Sequence, residues 1–228
     1  EADGVIISDP GVLFLARKLT PEMPVHLSTQ ANTTNYNSIR FWIEAGVERI
    51  IVARELSLEE IRQMGSYNSV QLEAFIHGAM CISYSGRCLL SSFLSNREGN
   101  RGECTHPCRW KYAVVEESRP GQYLPIEEDG QGAYLFYSRD LCMIDHIPEL
   151  MASGIHSFKI EGRMKGINYL ATTVKIYREA INAYLKDAEN YRVKKEWLEE
   201  LSKINLRGYC TGFYFGDPQH GVVVAQAA

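Results

Sequence analysis

The sequence has no apolar run of the roughly 18–20 residues that a membrane span needs. Its start, Glu1-Ala2-Asp3-Gly4, has no charged-then-apolar leader, so a cytoplasmic location is expected. Excess positive charge is also missing. Lys and Arg total 24 against 28 Asp and Glu, a formal charge of −4. The chain as a whole lacks the footprint of a duplex-binding module, and any nucleic-acid contact must come from a local patch. Six cysteines in 228 residues are too few for a disulfide scaffold. No His-Glu-x-x-His stretch marks a metallopeptidase, and no Gly-x-Ser-x-Gly elbow marks a serine hydrolase. There is no internal repeat and no low-complexity tract.

What is present is an ordinary globular composition, 45% hydrophobic and 23% charged, with β-rich runs alternating with helical patterns. That alternation predicts α/β architecture with parallel strands. The strand candidates are residues 5–8, 25–28, 49–53, 70–75 and 157–160. Helices are expected over 33–45, over 58–64 behind the Ser57/Glu60 capping box, and over 149–151 between Pro148 and Gly154. The longest, 167–185, should bury Ile167, Leu170, Val174, Tyr177, Ile181 and Tyr184 as one stripe. These units are too few for a closed (β/α) barrel of about 250 residues. The abrupt entry into Val5-Ile6-Ile7 favours the C-terminal units of a partial TIM-type barrel over an open sheet. Residues 1–203 are assigned to that partial barrel, with an insertion over 81–145 that lacks helical period. Insertions of such length are usually functional. Residues 204–228, rich in Gly and aromatics, read as the start of a small β element.

Four cysteines cluster in the insertion as Cys81-x6-Cys88-x15-Cys104-x3-Cys108. Thiolates are soft ligands for zinc and iron–sulfur centres. Gly86, Gly99 and Gly102 would let the backbone wrap tightly, and Arg87, Arg101, Pro107 and Arg109 make inert core packing a poor explanation. Zinc knuckles pair their cysteines two to four residues apart, and the six-residue first gap breaks that rule. A 4Fe-4S cluster tolerates irregular spacing; zinc stays open as the alternative. Either metal requires the four sulfurs to converge. Cys142 and Cys210, in apolar surroundings, read as structural.

The run Glu73-Ala74-Phe75-Ile76-His77-Gly78-Ala79-Met80-Cys81, continuing through Tyr84-Ser85-Gly86-Arg87-Cys88-Leu89-Leu90-Ser91, resembles the signature of the collagenase-like peptidase family, whose catalytic type was never assigned. His26-Leu27-Ser28-Thr29-Gln30, Cys108-Arg109-Trp110, Ser138-Arg139-Asp140-Leu141-Cys142, Lys159-Ile160-Glu161-Gly162-Arg163 and Thr211-Gly212-Phe213-Tyr214-Phe215-Gly216 match as well. The resemblance implies a TIM-like barrel, here without its first strands, followed by a small β domain. Several members are iron–sulfur proteins that add hydroxyl groups without dioxygen. One branch forms 5-hydroxyuridine at the tRNA wobble position with prephenate as a required metabolite; others act on ribosomal RNA or ubiquinone precursors. The Cys104-x3-Cys108-Arg109-Trp110 pattern and the insertion over 120–130 are most similar to the tRNA branch.

A hydroxylase of that kind needs a redox centre, an anion-binding pocket and access for a flipped base. Sites of barrel enzymes gather at the C-terminal strand ends. His26, Glu73, His77 and Arg163 are therefore the catalytic candidates. Gln30, Arg54, Lys159, Arg163 and Lys165 are the substrate-binding candidates, with Arg163 suited to bidentate grip of a carboxylate. The bland readings are a satisfied core histidine for His26, an orienting ion pair for Glu73 and a solvated charge run over 159–165. A collagenase-like peptidase, for example with Cys81 and His77 paired, and a zinc-stapled binding module stay open as other functions. So does a homo-oligomer.

Overall fold

The computed structural model describes residues 2–66, 70–81, 83–110, 112–115, 117, 123–125, 139–205 and 208–216. The chain divides into two compact units: residues 1–86 with 139–228, and the intervening Arg87–Ser138. Among the described residues, no helix is long and apolar enough to cross a membrane.

The larger unit opens with four β strands alternating with three helices. They run β1 (Val5–Ile7), α1 (Pro10–Leu19), β2 (Val25–Leu27), α2 (Tyr36–Glu44), β3 (Arg49–Ile51), α3 (Leu58–Gly65) and β4 (Gln71–Ala79). Each helix begins on a side-chain cap that its sequence supplies. Asp9 accepts from Val12 N ahead of Pro10, Asn35 accepts from Ser38 N, and Ser57 with Glu60 closes both halves of a capping box. These caps satisfy backbone donors that a helix start would otherwise leave open.

The smaller unit carries α4 (Leu90–Ser95) and the hairpin β5 (Ala113–Val115) with β6 (Tyr123–Pro125). The chain then returns through β7 (Asp140–Cys142), α5 (Ile147–Ala152), β8 (Ser157–Ile160), α6 (Ile167–Lys186), α7 (Lys195–Lys203) and β9 (Tyr209–Cys210). The expected insertion at 81–145 thus contains the smaller unit together with β7. Tyr209 and Cys210, in the tail read as a separate β element, pair in parallel with β7 in the main sheet. The remainder of that tail after residue 216, and the stretch 120–130 apart from its β6 residues, lie outside the described residues.

The architecture is mixed α/β around a seven-stranded, mostly parallel sheet. Strands β1, β2, β3, β4 and β8 are consecutive and parallel. Right-handed crossovers between strands laid down in one direction put their helices on one face of the sheet. That face is apolar. Leu27, Ile50, Leu72, Ala74 and Ile76 are at most 1% exposed, in one core with Ile39 and Trp42 of α2, Ile61 and Met64 of α3, and Ile147 and Leu150 of α5.

Strand β4 organises the sheet. Glu73 pairs with Ile51 of β3 and with Ser157 of β8, while His77 pairs with Cys142 of β7 and Ile160 of β8. β3 and the antiparallel β7 therefore share one edge of β4 in succession, and β8 takes the other. The register slips between Phe75 and His77, where two β4 residues face one on β8. Such a bulge reverses the alternation of side chains beyond it.

Helix α6 departs from the expected stripe. Its buried residues are Tyr169, Thr173, Ile176, Tyr177 and Ala180, whereas Ile167 and Val174 are exposed. Two neighbouring stripes fit a 3.6-residue period here. Tyr177, common to both, is anchored inward by donating to the Ile76 carbonyl and accepting from Met143 N. Ile181 and Tyr184 stay partly buried against the core, while Tyr169, Thr173 and Ile176 take the places expected for Ile167 and Val174.

Candidate functional site

On the sheet face opposite the apolar core, strand alternation gathers a polar cluster. His26 of β2 pairs with Arg49 of β3, and the Arg49 guanidinium donates to Gln71 Oε1 and lies 3.5 Å from Glu73 Oε2. Glu73 also accepts from Lys159 Nζ and from Ser157 Oγ, each at 2.8 Å. Burial pushes the Glu73 pKa up. Lys159, the Ser157 hydroxyl and the Arg49 charge outweigh it and hold the carboxyl below its usual range. Glu73 is thus an ionised anchor for two cations. His26 is only half-buried, and partial desolvation with the neighbouring Arg49 charge lowers its pKa, so its imidazole is neutral near pH 7. Arg49 and Ser157 were not among the sequence candidates. Ser157 alternates with Lys159 across Phe158, whereas Arg49 heads an otherwise apolar strand and carries no such signal.

His77 lies elsewhere. The β-bulge turns it to the helix side, where it is fully buried among the rings of Tyr169, Tyr177 and Tyr209 at 5.2–5.7 Å between centroids. Its Nδ1 is 3.4 Å from the Tyr177 hydroxyl. That hydroxyl already gives its proton to the Ile76 carbonyl, so Nδ1 must be the donor and Nε2 the deprotonated nitrogen. Desolvation lowers the His77 pKa to about 3, while burial raises the thiol of its strand partner Cys142 to about 12. A cysteine–histidine nucleophile needs the reverse, a lowered thiol beside a protonatable imidazole.

The basic candidates after β8 differ from one another. Lys159 is bound to Glu73. Lys165 reaches the fully buried Asp140 carboxylate at 2.9 Å and sits 4.7 Å over the Tyr169 ring. The Arg163 side chain is exposed and makes no ion pair among the described residues. Arg54, just past β3, stacks its guanidinium 4.2 Å over Phe75 and lines a small cleft with Met80, Phe213 and Tyr214. Its Nε is buried without a hydrogen-bond partner among the described residues. Gln30 is half-buried in the turn after β2, whose Ser28 hydroxyl accepts from its backbone N–H. The cleft lies where the strands end, the usual place for ligands in parallel sheets.

None of the six cysteines is in a disulfide. Cys81, Cys88 and Cys104 are half-buried and Cys108 is buried. Cys81 follows β4 in the larger unit, and the other three lie in the smaller one. There, Asn100 donates to the Cys88 carbonyl at 3.0 Å, and Ser91 of α4 accepts from Thr105 N beside Cys104. The His106 N–H points at Cys104 Sγ at 3.3 Å, the type of bond that stabilises a metal-bound thiolate. This donor set suits a soft metal centre. Among the described residues, no three His, Cys, Asp or Glu side chains are gathered tightly enough to hold a metal ion. Donor chemistry rather than a gathered ligand shell is therefore the argument for a centre.

A mostly parallel α/β sheet with a charged strand-end face and a cysteine-bearing unit inserted after β4 defines the class. Residues 1–223 match the model of peptidase family U32, and the chain belongs to that family. It is 44% identical over 216 residues to "tRNA hydroxylation protein P1" of Bacillus subtilis, covering 94% of this chain and 51% of the relative. It is 39% identical to "tRNA hydroxylation protein P" of Escherichia coli, covering 92% of the chain and 55% of the relative. A "Collagenase" of Porphyromonas gingivalis is 32% identical over 227 residues, covering 95% and 53%. The chain thus spans about half the length of these curated relatives. No solved structure matches it.

Proposed function

We propose that this chain is the part of a cytoplasmic tRNA-modifying enzyme that carries its hydroxylation site, acting without dioxygen on the wobble uridine with prephenate as the required small carboxylate. The single observation that supports this reading most is the 44% identity, along 94% of the chain, to a protein named for tRNA hydroxylation. In the longer protein the five consecutive parallel strands would form one wall of a (β/α) barrel, with the Glu73 face turned inward.

Cys81, Cys88, Cys104 and Cys108 would hold a 4Fe-4S cluster, which when bound supplies one-electron redox chemistry. The chain's own residues would do the rest. Arg163, exposed and unpaired with any carboxylate among the described residues, would grip the carboxylate bidentately. Arg54, backed by Phe75, would supply a second cationic plane beside the cleft. His26, neutral and reachable, would move a proton at a ring nitrogen. Glu73 would keep Lys159 and Arg49 charged and fixed, so that the face stays electropositive without rearrangement.

The peptidase reading rests on relatives' names. The inverted pKa values of His77 and Cys142 give it no nucleophile at that pair. A zinc-stapled module would be colourless, whereas cluster-loaded protein absorbs broadly in the visible. The test is wobble-uridine analysis of tRNA from cells whose full-length protein carries Cys81→Ala or Cys88→Ala. Loss of 5-hydroxyuridine-derived nucleosides is expected, and unchanged modification overturns the proposal.

A further inference from the structure

The backbone on either side of Cys81 is held by a carboxylate from a different strand end. On the N-terminal side, Glu161, just past β8, accepts the Ala79 N–H through Oε2 at 3.2 Å and the Arg163 N–H through Oε1 at 3.1 Å. The Glu161 N–H in turn donates to the His77 carbonyl at 2.8 Å. Between these two bonds lies Gly78, at φ +112°, where any Cβ would collide with the Glu161 carbonyl oxygen. On the C-terminal side, Glu55, just past β3, accepts both the Ser85 N–H and, at 3.0 Å, the Ser85 hydroxyl. Ser85 is 1% exposed, its Oγ also lies 3.4 Å from Arg54 N and Thr29 Oγ1, and Thr29 is itself bonded to the Val52 carbonyl. The following Gly86, at φ +75°, closes directly on the Gln30 carbonyl, leaving no room for a Cβ.

We infer that Glu55 and Glu161 are positioning residues that fix the Cys81 thiolate by pinning the chain two residues before it and four residues after it. Each carboxylate uses both oxygens as acceptors from protein donors. At Glu161 an amide would turn one acceptor into a donor facing a backbone N–H, and at Glu55 it would replace charge-assisted bonds by neutral ones, with the Ser85 hydroxyl turned to accept. Metal ligands held by such supporting bonds bind more tightly than ligands on a loose loop. The charge is spent on peptide N–H and hydroxyl groups, so neither carboxylate competes as a ligand. The inference rests on the proposed role of Cys81 as a metal ligand. The clamp itself is a statement about backbone order and can be measured without metal.

The experiment compares the wild-type chain with Glu55→Gln, Glu161→Gln and the surface control Glu59→Gln, all purified anaerobically. Amide exchange over residues 79–86 and the alkylation rate of Cys81 are read without metal. Iron retention and the paramagnetic resonance signature are then read after reconstitution with iron and sulfide. Loss of a charge-assisted bond should speed exchange and alkylation by about 10-fold or more and lower iron retention, with a changed resonance signature. Circular dichroism should stay unaltered, Glu59→Gln should behave as wild type, and Glu55→Asp should restore part of the protection. Wild-type exchange in both Gln variants overturns the clamp, as does faster exchange with unchanged alkylation. If wild-type protein takes up no iron, the cluster reading falls and the clamp is judged on exchange and alkylation alone. Should either Gln variant fail to fold, Ser85→Ala, which removes the hydroxyl that Glu55 accepts, and Glu161→Asp, which withdraws the carboxylate from the Ala79 N–H, are read the same way.

Discussion

The two faces of the parallel sheet are built from the same strands and do opposite things. On one face Leu27, Ile50, Leu72 and Ile76 meet the helices and are sealed from water. On the other Arg49, Glu73, Ser157 and Lys159 hold each other in ion pairs and hydrogen bonds, with His26 on the neighbouring strand. Burying each apolar side chain contributes about 1.5–3 kcal/mol. The polar face returns much less net stability, because desolvation of its charges offsets their attraction. On the proposed function the polar face serves the chemistry, and substitutions on the two faces should separate stability from activity.

The largest effect on stability is expected from the sealed face. Ile50→Ala, at a position with no exposure, should cost about 3–4 kcal/mol, read as a lower denaturation midpoint with an unchanged slope. A loss under about 1 kcal/mol would break the contrast. Next comes His77, which the bulge moves to the sealed side. Its folded pKa of about 3 lies below the unfolded 6.5. The unfolded chain therefore binds more protons between those values, and stability present above pH 6.5 drains away as pH falls toward 3, by on the order of a few kcal/mol. His77→Phe should flatten the stability profile across that window, and an unaltered profile would mean the ring is not buried neutral.

Glu73→Gln should cost about 1–3 kcal/mol at neutral pH, since Lys159 and Arg49, themselves partly solvated, lose their shared anion. Because the Glu73 pKa is lowered from 4.5, its contribution is present above that value and lost as pH falls through the folded one. The variant should show a shallower acid limb below pH 4.5 in urea titrations. Arg163→Ala should change stability least, within about 0.5 kcal/mol, yet lower tRNA hydroxylation by about 10-fold or more through loss of a bidentate charge-assisted contact. Full activity in that variant would remove Arg163 from the proposed site.

Much of this contrast was legible in the sequence. The strands at 5 and 49 announce themselves by β-branched runs and those at 25, 70 and 157 by alternating apolar and polar residues, and Ser57 with Glu60 marks a helix start that the structure reproduces. Helix α1 escaped notice because Val12, Phe14, Leu15 and Leu19 are exposed and give no inward stripe, although Asp9-Pro10 is a sound start signal. Helix α7 hides Trp197 and Leu201, a buried i, i+4 pair, within a charged run. The candidate site was harder to read. Glu73, Phe75 and His77 alternate without a break in the sequence, so nothing there reveals the bulge that sends His77 to the other face. Lys159 and Lys165 could be picked out as cations, but their engagement with Glu73 and Asp140 depends on partners more than 20 residues away.

The most direct test of the account is anaerobic iron and acid-labile sulfide analysis of the purified chain beside its Cys81→Ala variant. The account predicts brown wild-type protein with about four irons and four sulfides per chain, and a variant that loses most of both. Colourless protein with one zinc per chain, or equal iron in the two proteins, would contradict it.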